Sequence, residues 1–240
     1  MRIMKLPVLL LASVAFMAFF TSCDDQGFCL EGEGDVESRT LELARFSGVD
    51  VSGSTKVYIR RGSEQRVEVQ GQANILDHLE TNVENGVWGI GFDRCLRKHE
   101  AVEVYITVPE LDRASVGGSG RIELEDVFKS RTFQTSVSGS GDVLLRLATA
   151  ELDARISGSG TIRAAGVAEN QDVSISGSGK YWAFDLTSRE AEVSISGSGE
   201  VEVNAEDELD ADLSGSGRVY YTGNPDVNSS VSGSGKVIKK

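Results

Sequence analysis

The tetrapeptide Ser-Gly-Ser-Gly recurs through the second half of the chain, beginning at Ser138, Ser157, Ser176, Ser196, Ser214 and Ser232, with spacings of 19, 19, 20, 18 and 18 residues. Val116-Gly117-Gly118-Ser119-Gly120 is a degenerate earlier copy, and Val51-Ser52-Gly53-Ser54-Thr55 is a relic of the same corner. A period near twenty means that one small unit, unable to bury its own apolar face, is stacked on copies of itself. Aligning the copies on their first serine brings out the alternation of a strand. The residue before it is Val137, Ile156, Ile175, Ile195, Leu213 or Val231, and the fifth after it is Val143, Ile162, Tyr181, Val201, Val219 or Val237. Two further columns are small or apolar: Ala154, Val173, Val193, Ala211 and Leu145, Ala164, Ala183, Val203, Tyr221.

Each repeat therefore reads as strand, glycine elbow, strand and a variable polar corner such as Ala205-Glu206-Asp207-Glu208. The expected fold is all-β: a parallel β-helix, or β-solenoid, of 18–20-residue coils about 4.8 Å apart, right-handed because parallel crossovers nearly always are. The glycines allow positive φ and close approach of successive corners, and the serines are expected to form a ladder of hydroxyls. The competing arrangement is an antiparallel sandwich of short hairpins, which similar strand spacing also suits. In the less regular first half, Val57-Tyr58-Ile59 and Val67-Glu68-Val69 read as a hairpin-like pair, and Glu84-Asn85-Gly86 as a turn. Ala73 to Leu79 is expected as a short helix, and Val102 to Pro109 as a strand leading into the repeats with no domain boundary. Lys239 and Lys240 are expected to blunt the last coil against edge pairing.

The chain opens with Arg2 and Lys5, runs apolar from Leu6 to Phe20 and closes on Thr21-Ser22-Cys23. This pattern reads as a secretory signal over residues 1–22. Phe-Thr-Ser-Cys resembles the bacterial lipobox, which makes Cys23 the lipidated first residue of an outer membrane lipoprotein, facing the periplasm or the cell surface. A simple secreted protein and an uncleaved anchor are the alternatives. Residues 23–45 would then form a tether and lead-in segment, and 46–240 a single solenoid domain. Without Arg2 and Lys5 the chain carries a net charge of about −15, which argues against a nucleic-acid partner, since phosphate binding needs a basic face. The same charge repels anionic head groups, so membrane attachment would rest on the acyl chains. Cys29 and Cys95 can bond in an oxidising compartment, closing a loop that contributes about 4 kcal/mol in the chain-entropy model. The plainer reading is two unrelated small core residues.

Motifs for chemistry are sparse. Gly177-Ser178-Gly179-Lys180 and Gly233-Ser234-Gly235-Lys236 lack the full phosphate-loop spacing and a following helix. Calcium nonapeptide repeats need an aspartate in every copy, whereas the residue after the corner here is Asp142, Thr161, Lys180, Glu200, Arg218 or Lys236. His78 and His99 stand outside any His-Glu-x-x-His frame, and no Gly-x-Ser-x-Gly elbow occurs. Two outward columns remain. Asp153, Asp172, Glu192 and Asp210 would stack one per coil, either as a weak candidate Ca²⁺ column or as a solvated acidic stripe. Trp182, Glu202 and Tyr220 would share an outer face, where aromatic rings beside a carboxylate suit a saccharide; a covering loop or subunit is the plain alternative. The function read from these residues is a non-enzymatic envelope module that binds a glycan or protein or serves as structure. A β-helical polysaccharide-processing enzyme is the alternative, and a scaffold without soluble ligand a third reading. No catalytic residue and no cofactor is assigned.

The lipobox, Cys29 followed by Gly32 and Gly34, Phe46-Ser47-Gly48-Val49, Val108-Pro109-Glu110-Leu111 and the repeated Ser-Gly-Ser-Gly-x-Val together resemble the head GIN domain family of auto-transporter adhesins, common in lipoproteins of Bacteroidota. The resemblance runs from about Phe46 to the C-terminus and implies a β-helical fold, an envelope location and a role in adhesion. It transfers no binding residues. Asp24-Asp25 after Cys23 also resembles signals that send such lipoproteins to the outer surface.

Overall fold

A computed structural model describes residues 29–240. The expected signal segment 1–22 and the lipidation site Cys23 lie outside the described residues. Strands stack in parallel with the elbows in register: Asp142–Gly158 lies on Thr161–Gly177, then Lys180–Gly197, then Glu200–Gly215, and Ser157, Ser176, Ser196 and Ser214 align from coil to coil. The result is a β-solenoid of about 7 turns, so the repeats do not pair as the antiparallel sandwich. Gly118 of Arg113–Gly118 is in register with Gly139 on one side and Gly53 on the other, which makes Gly53 the elbow of the first coil.

The elbow works because it has no Cβ. At Gly158 φ is 122°, a region L side chains rarely adopt, and a Cβ would stand 2.5 Å from the carbonyl oxygen of Gly139. At Gly160 a Cβ would meet the Val137 side chain and, at 2.6 Å, the Gly141 carbonyl. With both positions open, Ser159 N donates to Gly139 O at 2.8 Å and Thr161 N to Gly141 O at 2.9 Å, so the hydrogen-bond ladder rounds the bend unbroken. The expected hydroxyl ladder does not form. Backbone amides satisfy the corner instead, and the first and second serine of each elbow point to solvent.

Inside, the aligned columns are the core. Val143, Ile162, Tyr181, Val201 and Val219 are fully buried, as are Ala154 and Val173, and Ile156, Ile175 and Ile195 are nearly so. One polar line crosses this interior. Tyr181 Oη donates to Gln171 Oε1 at 3.0 Å, Gln171 Nε2 to Ser188 Oγ at 2.6 Å, and Ser188 Oγ to the Asn204 carbonyl at 3.2 Å. Gln171 occupies the position of Leu152, Ala191 and Leu209 in neighbouring coils, and Tyr181 that of Ile162 and Val201. The two substitutions answer each other across the coil. Burial pushes the Tyr181 hydroxyl well above its ordinary titration range, so it keeps the proton it donates to Gln171.

The two ends of the solenoid differ. At the N-terminal end, Glu103–Val108 pairs in parallel with Lys56–Arg61 and antiparallel with Arg66–Gln72, which in turn pairs antiparallel with Val36–Leu41. The segments around Val57 and Val67 therefore do not form the hairpin expected of them. Glu103–Val108 lies between them, paired on both edges, with Val104, Ile106 and Val108 on its buried face. The turn at Asn85-Gly86 does form, with φ of 51° and 76°, as a tight two-residue hairpin requires. The helix is confined to Ala73–Leu76. Cys29 and Cys95 are bonded, with Cα atoms 4.5 Å apart, beside the short parallel pairing of Leu30–Glu31 with Leu96–Arg97. At the C-terminal end, Asp226–Gly233 and Lys236–Lys239 leave Val227 and Val231 exposed. Lys239 takes an inward column position and reaches Asn224 Oδ1 at 2.9 Å, which places charge at the open end of the core.

Two stability predictions follow from this packing. Gly158→Ala is expected to cost about 1–3 kcal/mol through left-handed strain alone, with more from the carbonyl contact, measured as a lowered midpoint in chemical denaturation. Tyr181→Phe leaves Gln171 Oε1 without its donor and is expected to cost about 1–3 kcal/mol. Adding Gln171→Leu to Tyr181→Phe is expected to cost less than the sum of the two single changes.

Candidate functional site

The coil between Ser176 and Ser196 has the longest spacing, 20 residues, and the extra length emerges as a bulge. Pairing with the preceding coil runs through Arg163 and Trp182 and resumes at Gly166 and Leu186; toward the following coil it passes from Ala183–Val203 to Thr187–Asn204. Leu186 is turned fully into the core, whereas Phe184 is half-buried and Asp185 exposed at the surface. Bulges of this kind re-aim side chains and bend the strand locally.

Beside the bulge lies a groove of about 460 Å³ whose lining includes Leu144, Arg146, Arg163, Ala165, Trp182 and Phe184. Its depth has a simple origin. Ala165 is in register with Arg146 of the preceding coil and is followed by the Phe184 bulge, so a methyl group stands between two long side chains. On the adjoining column the register runs Leu144, Arg163, Trp182, Glu202, Tyr220. The structure thus brings Trp182, Glu202 and Tyr220 together on one outer face, with Glu202 between the rings.

The rings are not bare. The Arg163 guanidinium lies 4.2 Å from the centre of the Trp182 indole and the Lys180 amine 5.3 Å from it, while the Lys240 amine stands 4.3 Å from the Tyr220 ring. Such cation–π contacts hold the indole in place. Burial raises the Glu202 carboxyl above its ordinary pKa, neighbouring Glu200 adds to the rise, and Lys240 opposes it. Arg121 forms an ion pair with Glu123 at 3.1 Å. Among the described residues neither Arg146 nor Arg163 has a carboxylate within 4.0 Å. Arg146, Ala165 and Phe184 each stand eight residues after the first serine of their elbow, so a column was there to be read, although nothing in it shows that a bulge turns it into a groove. The 20-residue spacing was the available signal.

The acidic column also forms: Asp153, Asp172, Glu192 and Asp210 are in register, one per coil. Asp153 is bound to Arg155 at 2.7 Å, and its carboxyl is raised by burial first, with Arg155 opposing and Asp172 adding. Among the described residues no three His, Cys, Asp or Glu side chains converge as a metal site would require. A second concavity, of about 610 Å³, runs over the serine columns of the opposite strand, with Ile156, Ile175 and Ile195 as its floor. Those floor residues are only 2% exposed. His78 Nδ1 is 2.8 Å from Asp93 Oδ1 and His99 Nδ1 2.6 Å from the Glu100 carbonyl, both at the N-terminal end, away from the groove.

The same architecture occurs in solved proteins. A structure from Bacteroides fragilis described as "a putative adhesin" is 21% identical, with a TM-score of 0.81 over 88% of this chain and 100% of that one. A "putative lipid binding protein" from Parabacteroides distasonis is 24% identical, with a TM-score of 0.75 over 88% and 99%. A "putative adhesin" from Parabacteroides merdae is 20% identical, with a TM-score of 0.71 over 89% and 99%. No curated protein matches the sequence. The family model described as "Putative auto-transporter adhesin, head GIN domain" matches residues 45–225, and the chain belongs to that family.

Proposed function

We propose that the protein is a non-enzymatic adhesin of the cell envelope, held to the outer membrane by a lipid on Cys23, that binds a saccharide on the Trp182–Glu202–Tyr220 face. The observation that carries this reading is the groove beside Trp182, where a fixed indole, a half-buried phenyl ring, guanidinium donors and a carboxyl meet in one concavity. Sugars present apolar C–H faces and hydroxyls together, and few other surface ligands need both. Family membership and the adhesins of the same fold agree with a binding role.

A lipid ligand, the class named for the Parabacteroides distasonis protein, is the second reading, with the concavity over Ile156, Ile175 and Ile195 as its place.

The expected result for Trp182→Ala is loss of binding on a glycan array with the melting temperature nearly unchanged; unaltered binding would refute the saccharide face. Glu202→Gln is the companion variant. Its carboxyl binds a proton more tightly in the fold than in the unfolded chain, so ionisation destabilises the fold as pH rises through the carboxylate range. Glu202→Gln is therefore expected to melt at or above the wild type at neutral pH, with the difference vanishing once both states are protonated in acid. A drop in its glycan binding would then report a lost contact and not a lost fold.

A further inference from the structure

Resting on the reading that this face holds a saccharide, we infer that the groove selects acidic saccharides, whose carboxylate is received by Arg146 and Arg163. The guanidinium of Arg163 is pinned against the indole at 4.2 Å, which removes much of the freedom a long side chain otherwise loses on binding. A guanidinium stacked on a ring keeps its N–H groups in its own plane, free to meet a carboxylate edge-on with two bonds. Arg146 comes from the same coil as Leu144 and rises beside Ala165, whose methyl group leaves the space between the two arginines unfilled. Phe184 closes the opposite wall, giving the apolar body of a sugar ring something to rest on. The volume, about 460 Å³, lies within the range usual for small-ligand sites.

The charges around the groove support the same ligand. The chain has 37 acidic against 24 basic residues, yet the two arginines facing this concavity have no carboxylate within ion-pair distance among the described residues. One of the nearby acids is already paired, Glu123 being held by Arg121 at 3.1 Å, and Asp185 stands exposed on the lip. A neutral sugar leaves both guanidiniums hydrated and contributes only its ring contact and hydroxyls.

The test uses matched pairs on one array: oligogalacturonides against their methyl esters, and sialyllactose against lactose. The wild type is expected to bind the acidic member of at least one pair about tenfold or more tightly than the neutral one, as one charge-assisted hydrogen bond implies. Arg146→Gln is expected to bring the ratio of acidic to neutral binding close to one, and Arg146→Lys to retain part of it. Equal binding of acidic and neutral members overturns the acid selectivity and leaves the saccharide reading standing; binding of neither overturns both. Preference that survives in Arg146→Gln combined with Arg163→Gln also overturns the assignment. New reducing ends or unsaturated sugar released from the oligogalacturonide would show turnover and overturn the non-enzymatic reading.

Discussion

The whole molecule depends on how closely one glycine elbow can sit on the next. At Gly139, Gly158, Gly177 and Gly197 a Cβ would stand about 2.5 Å from the carbonyl oxygen of the elbow beneath, inside any tolerable contact. That approach lets the amide after each elbow donate to the same carbonyl at 2.8 Å, so the sheet bends without losing a hydrogen bond. It also locks register. A slip of one residue between coils would place a serine where glycine must be and turn every apolar column to solvent at once. The core is thus specified less by the size of its side chains than by the position of the corners.

This explains why so much of the fold was readable from the chain. Once the elbows were aligned, the inward columns fell out as single-file lists of mostly Val, Ile, Leu and Ala, and the structure buries them up to the last coil, where Val231 is exposed. Gly53 could be recognised as an elbow even though a long excursion separates it from Gly118, because the local requirement at the corner is the same. What was not readable lies where partners are distant in sequence and the period is absent. The strand Glu103–Val108 inserts between two segments that look like a hairpin. The link between Tyr181 and Gln171 was hidden for a different reason. Each is one odd member of an apolar column, and nothing in either column says that the two face each other across the interior.

The candidate site shows the same division. Trp182, Glu202 and Tyr220 were legible as a face because they obey the repeat. Arg146, Ala165 and Phe184 also share a column, eight residues after the first serine of each elbow, but only the bulge after Ala183 turns that column into a groove. Where the repeat holds, each side chain is supported by its equivalents above and below. Three residues forced out of register at Phe184-Asp185-Leu186 break that pattern, while Leu186 repairs the core behind them. The bulge therefore creates a place on this face where side chains of different coils converge.

Electrostatics shapes what such a place can do. Because the chain as a whole is strongly acidic, an anionic ligand is repelled during approach, an effect felt over roughly a Debye length of 8 Å at physiological salt. Contact with two guanidiniums acts over a shorter range and begins only when the carboxylate has entered the groove. The two effects oppose each other along the path, so polyanions that cannot place a single carboxylate into the pit meet repulsion without reward. Selectivity then comes from shape and charge acting together: the long-range field excludes indiscriminate anions, and the arginine pair beside Trp182 admits the one whose sugar ring also fits against Phe184.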